Sequence, residues 1–377
     1  MTLTRRKFSI TSGAAMLAGL TIARAQPEGK IILGQSAAFT GPAAQLGIQF
    51  HQGAKVYFDQ VNAQGGIGRQ QIEIRKLDDG YEPARCVENT QKLIADDVFA
   101  LFGYIGTPTS IAALPLAVKD RIPFIAPLTG AMALRDPFNK YAFHVRASYN
   151  DETALIVKQL TNLGLKKIAV FHQNDAYGKA GLDGVNLALN GLNLKPVALA
   201  TVERNSVEVA QAVKTLLAAD PDAVVQIGAY KACAAFIREA RKAGYRGGFY
   251  NVSFVGTQAL ADELGKDAAG VVVSQVMPSP YNTAHVIARE FADAVKAAGK
   301  DVQANFSSME GYVAAKLFAE GLRRAGGKPS RESLISGLES IGTQSFGGFA
   351  VSFSPGHHVA SRFVELSMLT GDGRVRT

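Results

Sequence analysis

Two hydrophobic periods alternate along this chain, in two blocks, and that alternation restricts the fold more than any other feature. In the first block Ile31–Ser36 is a short apolar run and Ala44–Ala63 has apolar residues at helical spacing. Gln71–Leu77 then alternates at period two, and Pro83–Ala95 opens with a proline suited to a first helical turn. Phe99–Tyr104, Ile122–Ala126 and Tyr141–Val145 read as further strands, with a helix over Thr109–Lys119. The second block begins near Asn150. Its strands are Lys167–His172, Lys195–Val202, Ala223–Gly228, Phe249–Val252 and Gly270–Gln275, with helices starting near Asp175, Ser206, Lys231 and Thr257. Repeated βα units require a mostly parallel sheet covered on both faces.

After Pro278 and Pro280 come three helical stretches, Thr283–Ala298, Ser307–Ala325 and Arg331–Ser340, then strands Ala350–Phe353 and Phe363–Leu369. These helices have no sheet of their own and must pack back on the first block. The expected fold is therefore α/β, with two doubly wound parallel-sheet lobes, several chain crossings and a cleft between them. Ligands of open α/β sheets bind beyond the carboxyl ends of the strands. At those ends stand Gly106-Thr107-Pro108, with Thr107 expected as a helix N-cap, and Thr129-Gly130. In the second block Tyr177, Tyr230 and Ser253 follow three strands, which suggests an aromatic pocket with a few hydrogen-bonding groups.

The net charge of +8 invites a nucleic-acid reading. The N-terminus answers it. Arg5-Arg6-Lys7-Phe8, a short apolar middle and Ala23-Arg24-Ala25 read as a cleaved export signal of twin-arginine type over residues 1–25. Cleavage removes four of the 40 basic residues and no acidic one, halving the charge; the rest is scattered, so no nucleic acid is expected as a partner. The apolar run is too short to span a bilayer, and the product is expected in the periplasm.

An enzyme is not expected. The six histidines are dispersed, without metal-ligand spacing, and His357-His358 reads as a solvated turn. Gly65-Gly66-Ile67-Gly68 follows a helix instead of opening one, so it is a turn and not a dinucleotide fingerprint. Asp78-Asp79 are adjacent at a strand end, where their side chains diverge. Neither a cofactor nor a metal is expected.

Ser36-Ala37-Ala38-Phe39-Thr40-Gly41-Pro42-Ala43-Ala44-Gln45-Leu46-Gly47, with Gly53-Ala54, resembles the start of the branched-chain amino-acid binding proteins, periplasmic receptors of ABC transporters. Asn62 to Gly68, Asp78-Asp79, Asp175, Tyr177-Gly178 and Pro221-Asp222-Ala223-Val224 continue the pattern in order and spacing. The resemblance implies two lobes, 26–146 with 277–349 and 147–276 with 350–377, joined by three crossovers near His144–Ala147, Ser274–Met277 and Gly347–Phe353. It implies that Thr107 holds a ligand carboxylate, helped by the backbone at Gly106 and Thr129-Gly130. Tyr177 and Tyr230 would press on the ligand, and Leu46 would border its side chain.

Two departures from that family stand out. Its amino-acid binders carry an acid where this chain has Ser253, so the ligand is expected to be a carboxylate without an α-amino group, or an aromatic acid given Tyr104, Tyr149, Tyr177 and Tyr230. Some members bridge the segment of Cys86 to the position of Gly106; here both Cys86 and Cys233 are expected as free, buried thiols. The implied partners are a small organic ligand and an ABC permease of the inner membrane, with the receptor a monomer. An amino-acid binder, or a periplasmic sensor of the same fold, is the alternative.

Overall fold

The computed structural model describes residues 29–299 and 302–377. The export segment read at 1–25 lies outside them. The first lobe contains β1 (Gly29–Ala37), α1 (Ala44–Ala63), β2 (Gln70–Asp78), α2 (Pro83–Ala95), β3 (Ala100–Phe102), α3 (Thr107–Lys119), β4 (Phe124–Ile125) and β5 (Ala142–Phe143). Its strands form a parallel sheet in the order β2-β1-β3-β4-β5. The second lobe follows with α4 (Tyr149–Asn162), β6 (Ile168–Gln173), α5 (Ala176–Asn190), β7 (Ala198–Val202), α6 (Ala210–Leu217), β8 (Ala223–Ile227), α7 (Tyr230–Lys242), β9 (Gly248–Asn251), α8 (Thr257–Leu264) and β10 (Val272–Gln275). β8 is buried at every residue, as a strand covered on both faces must be.

The chain then returns to the first lobe through α9 (Val286–Ala298), α10 (Phe306–Ala325) and α11 (Arg331–Glu339). α10 packs along α1 because glycines let the two backbones meet. A Cβ on Gly53 would lie 1.7 Å from the Ser308 carbonyl oxygen, and one on Gly311 would lie 2.0 Å from that of Phe50. Phe58 and Phe102 each place their rings 6.0 Å or less from a neighbour in a cluster with Phe318, joining α1, β3 and α10. Burial of each such ring is worth about 1.5–3 kcal/mol.

The chain ends in β11 (Gly342–Phe346), β12 (Phe349–Phe353), β13 (Glu365–Leu369) and β14 (Val375–Arg376). β13 and β14 extend the second sheet as antiparallel strands, giving the order β14-β13-β10-β9-β8-β6-β7. β12 departs from expectation. It pairs with β11 in a separate hairpin, and the Phe353 ring packs on Phe143 at 5.4 Å, so it belongs with the first lobe and the hinge. The third crossing therefore comes later, after the His144 amide donates to the His358 carbonyl and the Ala360 amide to the His144 carbonyl, both at 2.8 Å. His358 is buried and stacks on Phe143 at 3.7 Å, correcting the solvated turn expected for it; His357 is exposed. Both cysteines are buried and unbridged. Among the described residues no helix is long and apolar enough to cross a membrane, and no group of His, Cys, Asp and Glu could hold a metal ion.

Candidate functional site

The first lobe meets the cleft at the turns after β3 and β4. Gly106, with φ of +95°, occupies the cap of α3, so Thr107 is the first helical residue and not the N-cap expected for it. A left-handed residue is needed there, and a Cβ would lie 2.2 Å from the Tyr81 ring; only glycine meets both conditions. The Thr107 side chain is thereby free of capping and shares a 2.7 Å hydrogen bond with the Thr129 hydroxyl. Both threonines are fully buried.

The second lobe faces these turns with aromatic rings. Tyr149 opens α4 behind the capping box of Ser148 and Asp151, and its amide donates to the Gly130 carbonyl at 2.8 Å. Tyr177 stands in the first turn of α5, where the Asp175 carboxylate accepts from its amide at 2.9 Å. The Tyr149 and Tyr177 rings are 5.4 Å apart, Tyr177 lies 4.6 Å from Phe254, and Phe254 lies 5.8 Å from Tyr81 of the first lobe. Burial raises the pKa of both Tyr149 and Tyr177, so their hydroxyls stay protonated at neutral pH. Neither hydroxyl has a hydrogen-bond partner of good geometry among the described residues, although the Thr129 hydroxyl lies beside that of Tyr149.

Beneath the rings lies a buried ion cluster. Arg146, in the first crossing, places Nε 3.0 Å from Glu310 Oε1 on α10 and donates through Nη2 to Glu310 Oε2 at 3.2 Å and Ser253 Oγ at 2.7 Å. Ser253 in turn donates to Glu152 on α4, through its amide at 2.7 Å and its hydroxyl at 3.0 Å, and Ser274 Oγ donates to the same carboxylate at 2.6 Å. Burial pushes the Arg146 pKa down, but Glu310 and Glu152 outweigh it and hold the guanidinium above its ordinary value. Burial raises both carboxyls while Arg146 opposes the shift. Nearby, Arg135 donates to the carbonyls of Ala131, Thr129 and Arg146; burial and then Arg146 lower its pKa to about 10. A cavity of about 10 Å³ remains between Leu128, Arg146, Ser253, Gln275, Ser307 and Glu310.

The described chain matches the periplasmic binding protein family over residues 30–371. The chain belongs to that family. A possible leucine/isoleucine/valine-binding protein from Rhodopirellula baltica SH 1 is 34% identical, with a TM-score of 0.89 over 93% of this chain and 96% of that one. A substrate-binding periplasmic protein from Ralstonia solanacearum is 32% identical, with a TM-score of 0.86 over 92% and 99%. The Leu/Ile/Val-binding protein homolog 3 of Brucella melitensis is 24% identical over 315 residues, 82% of this chain and 83% of that protein. The relatives are binding proteins, and the cleft is that of a ligand-binding receptor.

In this periplasmic binding protein the expected residues divide into two groups. Gly106, Thr107, Thr129, Gly130, Tyr149, Tyr177 and Ser253 converge on the cleft. Leu46 reaches across it as well, its Cδ2 lying 2.6 Å from where a Cβ of Gly256 would stand. Tyr230 is buried mainly in the second lobe's outer core, with the Gln45 backbone at its hydroxyl. Tyr104 does not join the site. It turns into the outer core of the first lobe against Phe124 at 4.9 Å, its hydroxyl 3.0 Å from that of Thr90. Successive side chains of an extended segment point to opposite faces, and Tyr104 falls on the outer one.

Sequence reasoning missed Tyr81, Arg146, Glu152, Phe254 and Glu310. Only Tyr81 carried a signal, following Asp79-Gly80 in a strand-end turn that gives it φ of +65°. At the rim Arg204, in the loop between β7 and α6, joins the lobes. It donates to Glu82 at 2.8 Å and Asp175 at 3.3 Å, while the Asn205 amide reaches Glu82 at 2.7 Å and the Gly80 carbonyl at 3.0 Å.

Proposed function

We propose that this receptor closes over a small organic acid without an α-ammonium group, with an aromatic or apolar body, and delivers it to an ABC importer of the inner membrane as a monomer. The carrying observation is the pair of buried hydroxyls of Tyr149 and Tyr177, neither with a hydrogen-bond partner of good geometry among the described residues, on rings 5.4 Å apart and with the Thr129 hydroxyl beside that of Tyr149. A buried hydroxyl without a partner costs about 1–3 kcal/mol, so an acceptor such as a carboxylate is favoured there. The Thr107 and Thr129 hydroxyls then anchor the acid from the first lobe, and the rings of Tyr177, Phe254 and Tyr81 enclose its body. Ser253 carries no charge to pair with an ammonium, and its hydroxyl is already engaged by Arg146 and Glu152.

Calorimetry tests this reading. A phenyl- or methyl-substituted carboxylic acid is expected to bind at micromolar Kd, about −8 kcal/mol, with leucine and valine far weaker. Thr107→Val should weaken the acid at least tenfold. Micromolar binding of leucine or valine overturns the reading in favour of an amino-acid receptor. That second reading draws on the relatives named as Leu/Ile/Val-binding proteins and on the buried carboxylates of Glu152 and Glu310.

A further inference from the structure

Three consecutive residues of the turn between β2 and α2 reach the second lobe. The Gly80 carbonyl accepts from the Asn205 side chain at 3.0 Å, the Tyr81 hydroxyl from Gln173 Nε2 at 3.3 Å and the Glu82 carboxylate from Arg204 at 2.8 Å. Tyr81 is fully buried, and its ring stands between the lobes. On one side three ring carbons lie 2.2 to 3.1 Å from where a Cβ of Gly106 would be, directly before Thr107. On the other side the Phe254 ring is 5.8 Å away. A bulky side chain is costly at the φ of +65° that Tyr81 adopts, and such an outlier persists only where its surroundings impose it. Here the Asp79 carboxylate accepts from the Tyr81 amide at 2.8 Å and is itself held by the Ser36 hydroxyl at 2.7 Å. Gln173 also donates to Asp175 at 2.6 Å, which ties the Tyr81 hydroxyl to the carboxylate that caps the helix of Tyr177.

We propose that Tyr81 is a specificity-determining residue of the cleft, and that its ring is the wall beside Thr107 that limits the length of the acid. This inference rests on the reading of Thr107 and Thr129 as the carboxylate anchor. An acid with a short body fits against the ring while the lobes are closed. A longer body meets a ring that is fixed at its hydroxyl by Gln173, at its face by Gly106 and at its backbone by Asp79. Glycine at this position removes the backbone strain and opens the space between Gly106 and Phe254.

Calorimetry with two matched series reads this out. The acids are phenylacetate, 3-phenylpropionate, 4-phenylbutyrate and 5-phenylpentanoate; the amino acids are phenylglycine, phenylalanine, homophenylalanine and 2-amino-5-phenylpentanoate. In the wild type, affinity should fall tenfold or more beyond one member of the acid series. In Tyr81→Gly that limit should move to a longer member. Tyr81→Phe keeps the ring and loses the bond from Gln173, so every member should weaken by a similar severalfold factor with the limit in place. A purely structural role for the ring would weaken all members alike in Tyr81→Gly too. Thermal melts report folding, and Tyr81→Asn, which tolerates left-handed backbone, supplies a second ringless variant. No limit in the wild type, an unmoved limit in a folded ringless variant, or a limit that moves equally in Tyr81→Phe overturns the inference while the reading of a non-amino acid stands. If only the amino acids bind, that reading fails and the limit in their series decides the inference. No binding by either series overturns both.

Discussion

His51 and Asp79 show how single positions set a pH response that the intact protein conceals. His51 donates through Nδ1 to Gln35 Oε1 at 2.8 Å, and burial, then Lys76 and Lys55, lower its pKa to about 4. A lowered base stabilises the fold above its unfolded value of 6.5, and that contribution is lost as pH falls toward 4. Asp79 is raised to about 6 by burial, against its hydrogen bonds from Ser36 and Tyr81. A raised acid stabilises below its unfolded value of 3.8, and that contribution is lost as pH rises through 6. Each amounts to up to about 3 kcal/mol with opposite slopes over nearly the same interval. Urea midpoints between pH 4 and 7 should therefore show His51→Gln gaining on the wild type as the medium is acidified and Asp79→Asn falling behind; curves parallel to the wild type contradict this. The same residue scale is where sequence reasoning met its limit. Thr107, Thr129, Tyr149 and Tyr177 were legible because they follow strand ends. Arg146, Glu152 and Glu310 are 164 positions apart from first to last and acquire meaning only when two lobes and a crossing converge.

At the scale of elements, long periodic helices were readable to within a residue or two, as with α1 and α2. α4 was not named, although the Ser148-to-Asp151 capping box marked its start. The two-residue strands β4 and β5 matched positions but not lengths, since apolar turns beside them look like strand. β12 was misassigned because an alternating apolar run does not state its partner, and the tight Gly347-Gly348 turn returns it to β11. The loop between β7 and α6 carries the rim latch. Arg204→Ala removes bonds to both Glu82 and Asp175, so ligand affinity should fall about fivefold, near the 1 kcal/mol upper end for partly exposed pairs. The loss should be smaller in high salt and should reside in the dissociation rate. Unchanged affinity at both low and high salt removes the latch from the closing mechanism.

At the scale of the molecule, the first and third crossings are hydrogen-bonded to each other through His144, His358 and Ala360, so any pivot of the lobes would carry those two segments together. The contacts of Tyr81 with Phe254 and Gln173, and of Arg204 with Glu82, describe a closed cleft. X-ray scattering should give a radius of gyration that falls on ligand addition, with a forward intensity matching one chain in both states. Equal radii with and without ligand would argue against a closing receptor. The two-lobe plan was visible in the alternation of periods, whereas the handover between lobes near residue 360 was not, because a crossing leaves no periodic trace.

The packing of α10 on α1 also dictates an order of events. The ribosome releases α1 and the first sheet long before residue 306, so the apolar stripe that carries Phe50, Ala54, Phe58 and Val61 has to wait for most of the chain before its cover arrives. The strands and helices from 149 to 275, by contrast, emerge as one uninterrupted run and are missing only the two antiparallel edge strands β13 and β14. During synthesis the middle of this protein can therefore consolidate ahead of its beginning. Any factor that shields the nascent N-terminal lobe would have to hold it until the last quarter of the polypeptide is made.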